Sequence, residues 1–460
     1  MKWTACTLRE HDKNESVAMM NHELANEWFG TSNLVIPFYS GSHQLNLPLT
    51  RNTKRNNPSL DFPTSAFRAL HIPYSSNIGI RKIGTGIEIG PWIGLLTAGS
   101  PRTSSQPFGA RSNYIRSFLQ SARSMGYYFA FTLNDINWHN RTIDGFMVDR
   151  EGRWHLRTVP YPNVVHNRIP TRGLEQSKPM LRFQQELKRL NIPIFNAGFF
   201  DKWNVYSSLL RDSNAAKFIP ETHLSPDQSM LSVLLSEQPD WYLKPINGCL
   251  GIGIYKLSKK SNADIVLQST VRGKNDSKEF DDPNDVIRYL KRKHGTLKDY
   301  VIQEKVNLLR CENDPIDFRV HLNKTRSGDW AVSGIGSKRS AKNSVTTHVR
   351  NGGQLQSALP MLRKIQPQQA EHMHYKLEQT GIKIAQAIAD ESVNPVGELG
   401  IDLGIDQRNR IWMFEANAKP GRSIFKLPEL KDANRHSFQM LRDYAVYLSE
   451  TSNTTGGYDD

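Results

Sequence analysis

Two stretches of this sequence carry residue types that could handle a nucleotide and its metal. In residues 241–257, WYLKPINGCLGIGIYKL, a strand-like run bears Lys244, and Gly248, Gly251 and Gly253 follow before a second strand-like run. Glycines allow a tight turn and let backbone N–H groups approach phosphate oxygens closely. The lysine precedes the glycines and the flanks read as strands. A P-loop has the reverse order, with the lysine opening a helix. The stretch reads as a glycine-rich flap over a nucleotide or, more plainly, as a β-hairpin with an exposed lysine.

The second stretch is residues 396–422, VGELGIDLGIDQRNRIWMFEANAKPGR. Two strand-like runs flank a polar turn. A hairpin centred on Arg408 and Asn409 sets Asp402 opposite Glu415, close enough to share one ligand. Glu415 and Asn417 are two apart and share a face. Two carboxylates and an amide oxygen are hard ligands, suited to Mg²⁺ held together with phosphates. Solvated acids on an ordinary hairpin are the alternative. It is the weaker one, because these acids sit among Ile, Leu, Met, Phe and Trp, where unpaired charge is costly.

The strings IGPWIGLLT, NVVHNRIPTR, FFDKWNVYSSLL, YLKPINGCLGIGIYKL, VIQEKVNLL, DFRVHLNK, THVRNGG and GELGIDLGIDQRNRIWMFEANAKPGR run in order through residues 89–422. With them the chain resembles the ATP-grasp superfamily, and within it the YheC/YheD-like proteins associated with the spore coat in bacilli. The resemblance implies ATP and Mg²⁺ (or Mn²⁺) as cofactors. It assigns Lys202 and Lys244 to the α- and β-phosphates, under a loop bearing Gly248, Gly251 and Gly253. Gln303 to Val306 match the hinge whose backbone meets adenine, with Glu304 and Val306 at the contact positions, and Asp317 matches a ribose-binding acid. Asp402, Glu415 and Asn417 match the metal ligands. Arg319, Lys338 or Arg339, and Asn351 lie where such enzymes stabilise the transferring phosphoryl group or bind acceptor. Each has the required type, since phosphoryl transfer gains mainly from positioning and charge neutralisation. Cys249 departs from the usual glycine-loop residue, and THVRNGG departs from the related ligases around the acceptor contacts.

The activity so implied is an ADP-forming carboxylate–amine or carboxylate–thiol ligase acting through an acyl-phosphate. A kinase-like transfer is one alternative. A spore-coat structural protein with a regulatory or vestigial nucleotide site is another. The intact set Lys244, Asp402, Glu415 and Asn417 speaks against a vestigial site.

These residues need a scaffold, and 460 residues is long enough for two or three domains. Residues 1–92 read as a β-rich unit, with 50–58 (TRNTKRNNP) as a loop or hairpin tip. Residues 93–200 alternate strands and helices, as an α/β domain does. Residues 201–450 hold the chemistry, and 451–460 read as a disordered tail. The expected fold is mixed α/β: an ATP-grasp unit preceded by an α/β domain and a β-rich N-terminal domain. In the α/β domain, Arg168, Arg172 and Glu175 follow a buried-looking strand, at the end where open sheets bind ligands. Arg168 or Arg172 could hold an anionic acceptor, or the stretch is a solvated loop.

The formal charge of +14 favours anionic partners. No basic run interleaved with aromatics marks a nucleic-acid groove, so no specific nucleic acid is expected. Three cysteines, Cys6, Cys249 and Cys311, match no zinc or disulfide pattern. The polar start lacks the apolar core of a secretory signal, and no apolar run is long enough to span a membrane. A cytoplasmic location follows as the expectation, with spore-coat association implied by the resemblance.

Overall fold

The computed structural model describes the chain except residues 1, 13–15, 32–33, 100–102, 104, 121–124, 249–250, 261–263, 272–273, 342–344, 346–351 and 453–460. Cys249, Asn351, most of THVRNGG and most of the expected tail therefore lie outside the described residues.

Seven strands between residues 4 and 90 close into a barrel. Alternation drives this. In Leu34–Ser40, Ile36 and Phe38 are buried while Pro37 and Tyr39 are half-buried, as a pleated strand with one face on a core requires. The strand His43–Asn52 runs on through Thr50, Arg51 and Asn52, which the sequence assigns to a loop. Their backbones pair with the parallel strand Ala18–Asn21, so polar side chains do not prevent the ladder.

A seven-stranded sheet follows. Trp92–Leu96 lies between Tyr127–Phe131 and Val164–Asn167, parallel to both, and Ile194–Phe195 extends it. The antiparallel hairpin of Thr142–Val148 and Trp154–Pro160 closes the other side. The helix expected over 112–125 is described as Ser112–Gln120.

Two six-stranded sheets carry the remainder. The first includes Thr222–Leu224, Tyr300–Glu304, Asp240–Pro245 and Tyr255–Lys259, all antiparallel to their neighbours. The helices Gln228–Glu237 and Pro283–His294 back it over Leu231, Leu243, Leu257, Leu290 and Ile302. The second includes Trp330–Arg339, Asp314–Lys324, Glu398–Ile405 and Ile411–Asn417. The helix Ala370–Asp390 packs on it through Leu377, Ile384 and Ala385.

The helix Lys431–Thr451 ties the units together. Phe438, Leu441, Tyr444 and Ala445 share a core with Ile93, Leu95 and Val164 of the α/β sheet. Near its end, Ser449 Oγ accepts from Trp3 Nε1 at 2.8 Å, and the Ser449 carbonyl accepts from buried Arg81 of the barrel. Among the described residues, no helix is long and apolar enough to cross a membrane.

Candidate functional site

The two six-stranded sheets face each other across a cavity of about 180 Å³. One lysine reaches it from a helix. Asp201 caps Lys202–Arg211 by accepting the Asn204 N–H at 3.0 Å. Lys202 thus sits in the first turn, at the positive end of the helix dipole, where anions are favoured. Its Nζ donates to the Gly248 carbonyl at 2.6 Å and lies 3.4 Å from Glu415 Oε1.

The first sheet contributes Lys244. Tyr242, two residues earlier on the strand, shares its face, and both line the cavity. Lys244 Nζ donates to Gln303 Oε1 at 2.5 Å. Burial, then the nearby charge of Lys202, lower this ammonium to about 8, against the pull of Glu415, Asp317 and Asp402. Beyond it, Gly251 and Gly253 have φ of 73° and 75°, a left-handed backbone in which any other residue is strained.

The second sheet contributes the acids. Arg319 grips Asp402 with both arms of its fork, Nε to Oδ1 at 2.6 Å and Nη2 to Oδ2 at 2.7 Å. Lys338 Nζ donates to Asp402 Oδ1 at 2.8 Å and lies 3.2 Å from Asp317 Oδ1. Burial would raise the Asp402 carboxyl, but Arg319 and Lys338 outweigh it and hold it well below the usual carboxylate range. Against the opposing effect of burial, the same acids raise Arg319 and Lys338.

Asp402 pairs with Glu415, as the sequence anticipates, but by another route. Ile405 pairs with Ile411 and Leu403 with Met413, a register centred one half-step earlier. A shift between Leu403 and Asp402 leaves Phe414 unpaired and restores Glu415 to its place. This bulge lets consecutive residues, Phe414 and Glu415, both line the cavity, which a regular strand forbids.

Ten of the expected residues line one cavity: Lys202, Lys244, Gly251, Gln303, Glu304, Val306, Asp317, Lys338, Asp402 and Glu415. Gly248 contributes its carbonyl to Lys202. Arg319 stands behind Asp402. Asn417 pairs with Gly400, one alternation beyond Glu415, and does not line the cavity. Of the pair Lys338 or Arg339, only Lys338 faces the site. Arg339 points to the opposite face, where it binds Glu312 at 2.6 Å and Gln354 at 2.7 Å.

Tyr242, Ile254, Leu308 and Phe414 give the cavity an apolar side that sequence reading misses. For Tyr242 the signal was available in its two-residue spacing from Lys244. For Phe414 it was not, because the bulge leaves no mark in the sequence.

The two carboxylates that line the cavity, Asp402 and Glu415, fit Mg²⁺ when phosphate oxygens complete its shell. Among the described residues, no three His, Cys, Asp or Glu side chains gather closely enough to hold a metal by themselves. The charge balance agrees with a ligand that brings its own cation. Lys202, Lys244, Lys305, Arg310 and Lys338 line the cavity against Glu304, Asp317, Asp402 and Glu415, leaving one positive charge in excess.

The α/β domain behaves differently from expectation. Arg168 donates to buried Glu398 at 2.8 Å, Arg172 to the Phe200 carbonyl, and Glu175 accepts from Lys419 at 2.7 Å. All three are committed to structural partners, so they do not stand ready for an anionic acceptor. Glu398 also accepts from Arg422 at 2.7 Å and meets His321 at 3.0 Å. This hub joins residues some 230 positions apart, beyond the reach of local pattern.

The chain matches the YheC/D-like ATP-grasp family over residues 191–448. It is 37% identical over 400 residues to the endospore coat-associated protein YheD of Bacillus subtilis, covering 85% of each chain. It is 25% identical over 289 residues to the endospore coat-associated protein YheC of the same organism, covering 61% of this chain and 77% of the relative. Among solved structures, the D-alanine–D-alanine ligase of Bacillus anthracis aligns with 78% of this chain and 97% of its own at 13% identity, with a TM-score of 0.46.

Proposed function

This chain belongs to the YheC/D-like ATP-grasp family, and on that premise we propose that it binds Mg-ATP in the cavity between its two sheets and uses it to activate a carboxylate for ligation. The observation that carries this reading is the convergence of Lys202, Lys244 and Lys338 on the Asp402–Glu415 pair.

In this proposal Lys202 and Lys244 hold phosphate oxygens, and Lys202 gives up the Gly248 carbonyl to do so. The glycine loop then closes over the phosphates. Tyr242, Ile254, Leu308 and Phe414 take the base, and the N–H of Val306 meets its edge. Asp402 and Glu415 would hold Mg²⁺, which would supply charge neutralisation on the phosphate oxygens, and Asn417 stands one alternation farther along the same strand. Lys338 stabilises charge on the transferring group, and Arg319 holds Asp402 in place from behind. An acceptor carboxylate oxygen attacks the γ-phosphorus and ADP leaves. An amine then attacks the acyl carbon and expels phosphate. Association with a spore coat is proposed from the names of the relatives alone.

Phosphate release tests the chemistry. Carboxylic acids and amines are screened with the full chain and Mg-ATP. Phosphate that appears only with both acceptors is the ligase result. ADP without free phosphate would replace ligation by kinase-like transfer, and no acceptor-dependent ADP at all would remove the catalytic claim.

A further inference from the structure

A chain of hydrogen bonds fixes which end of the Gln303 amide faces the cavity. Its root is the Pro220 carbonyl, which can only accept. Thr222 Oγ1 donates to that carbonyl at 2.8 Å, so its proton is spent. Toward Gln303 the same oxygen can only accept, and Gln303 Nε2 donates to it at 2.9 Å. The Tyr206 hydroxyl, which donates to the Phe414 carbonyl, stands beside the same amide and adds a second acceptor. At the far end the direction is checked independently. The Lys244 ammonium has only donors, and it meets Gln303 Oε1 at 2.5 Å. Gln303 and Thr222 are both buried.

We infer that Thr222 is a specificity-positioning residue: it holds Gln303 so that an oxygen, never an N–H, meets a purine in this cavity, selecting a 6-amino over a 6-oxo base. The inference rests on the nucleotide reading of the cavity. Once Lys244 turns to phosphate, Gln303 Oε1 is left needing a donor. The exocyclic amine of adenine supplies one. The O6 of guanine sets acceptor against acceptor, and a buried acceptor without a donor is costly.

The test is the ratio of GTP to ATP dissociation constants, measured by calorimetry on the full chain with Mg²⁺. Wild type should prefer ATP by at least about tenfold. Thr222→Val keeps the shape but removes the anchoring oxygen. It should narrow the ratio at least about threefold, while Thr222→Ser keeps it. A purely packing role would weaken both nucleotides equally and leave the ratio unchanged, which overturns the inference. If Thr222→Val fails to fold, Gln303→Leu takes its place, with the same loss of preference expected and an unchanged ratio again overturning the inference. Wild type that binds ATP and GTP alike overturns it while leaving the nucleotide site standing. Wild type that binds neither overturns both.

Discussion

Asp402 faces Glu415 directly across a hairpin whose register shifts by one residue just before they meet. The two acids share a face and a cavity but not a fate. Asp402 is gripped by Arg319 and Lys338, whereas Glu415 has a single longer contact, to Lys202 at 3.4 Å.

Their isosteric amides should therefore separate stability from turnover. Glu415→Gln should lose at least about 100-fold in ATP turnover with stability nearly unchanged. Asp402→Asn should lose as much turnover and also about 3 kcal/mol of stability, because it strands largely buried Arg319 and leaves Lys338 with Asp317 alone. Denaturant titration of both variants beside turnover assays checks this. Equal stability of the two variants would contradict the buried-pair account.

The Lys244 ammonium, lowered to about 8 by burial and by Lys202, gives nucleotide binding a pH signature. A phosphate beside it favours the charged form, so its pKa rises on binding and binding takes up a proton. Affinity should be level below pH 8 and fall as pH rises through it, by up to about tenfold per unit. Lys244→Arg stays charged and should remove the break. Dissociation constants measured between pH 6.5 and about 9.5 decide the point.

Glu398 predicts an acid sensitivity far from the cavity. Burial raises its carboxyl, but Arg168, His321 and Arg422 outweigh this and hold it well below its usual value of 4.5. A depressed carboxyl contributes stability that is present above its unfolded pKa and lost as pH falls toward the folded one. Wild type should thus lose stability as pH drops below about 4.5. Glu398→Gln should be less stable at pH 7 by about 3 kcal/mol, since two buried guanidiniums lose their counter-charge. Its stability should also fall less steeply with acid. Urea midpoints for both proteins from pH 7 downward test the sign.

What the sequence reveals depends on how local each feature is. Lys244 and the glycines, and the pairing of Asp402 with Glu415, are set by short-range alternation and turn residues, and can be read directly. Even there the agreement is partly compensation. The sequence reading centres the turn on Arg408 and Asn409, while the strands pair about Arg408 and a bulge at Phe414 makes up the difference. The choice between Lys338 and Arg339 needs the strand's facing, which composition does not give. The Glu398 hub and the anchoring of Gln303 by Thr222 join residues brought together only by the fold. Arg168, Arg172 and Glu175 show the converse: polar residues at a strand end are open to ligand only if no distant partner claims them.

The central claim is that the cavity holding Lys244 binds Mg-ATP, and thermal denaturation of the full chain with increasing Mg-ATP tests it most directly. A ligand at about 100 times its dissociation constant stabilises the folded state by about 2.7 kcal/mol. Wild type should show a saturable rise in melting temperature, and Lys244→Ala a much smaller rise at the same nucleotide concentrations. No shift in wild type up to millimolar Mg-ATP, or equal shifts in both proteins, would contradict the account.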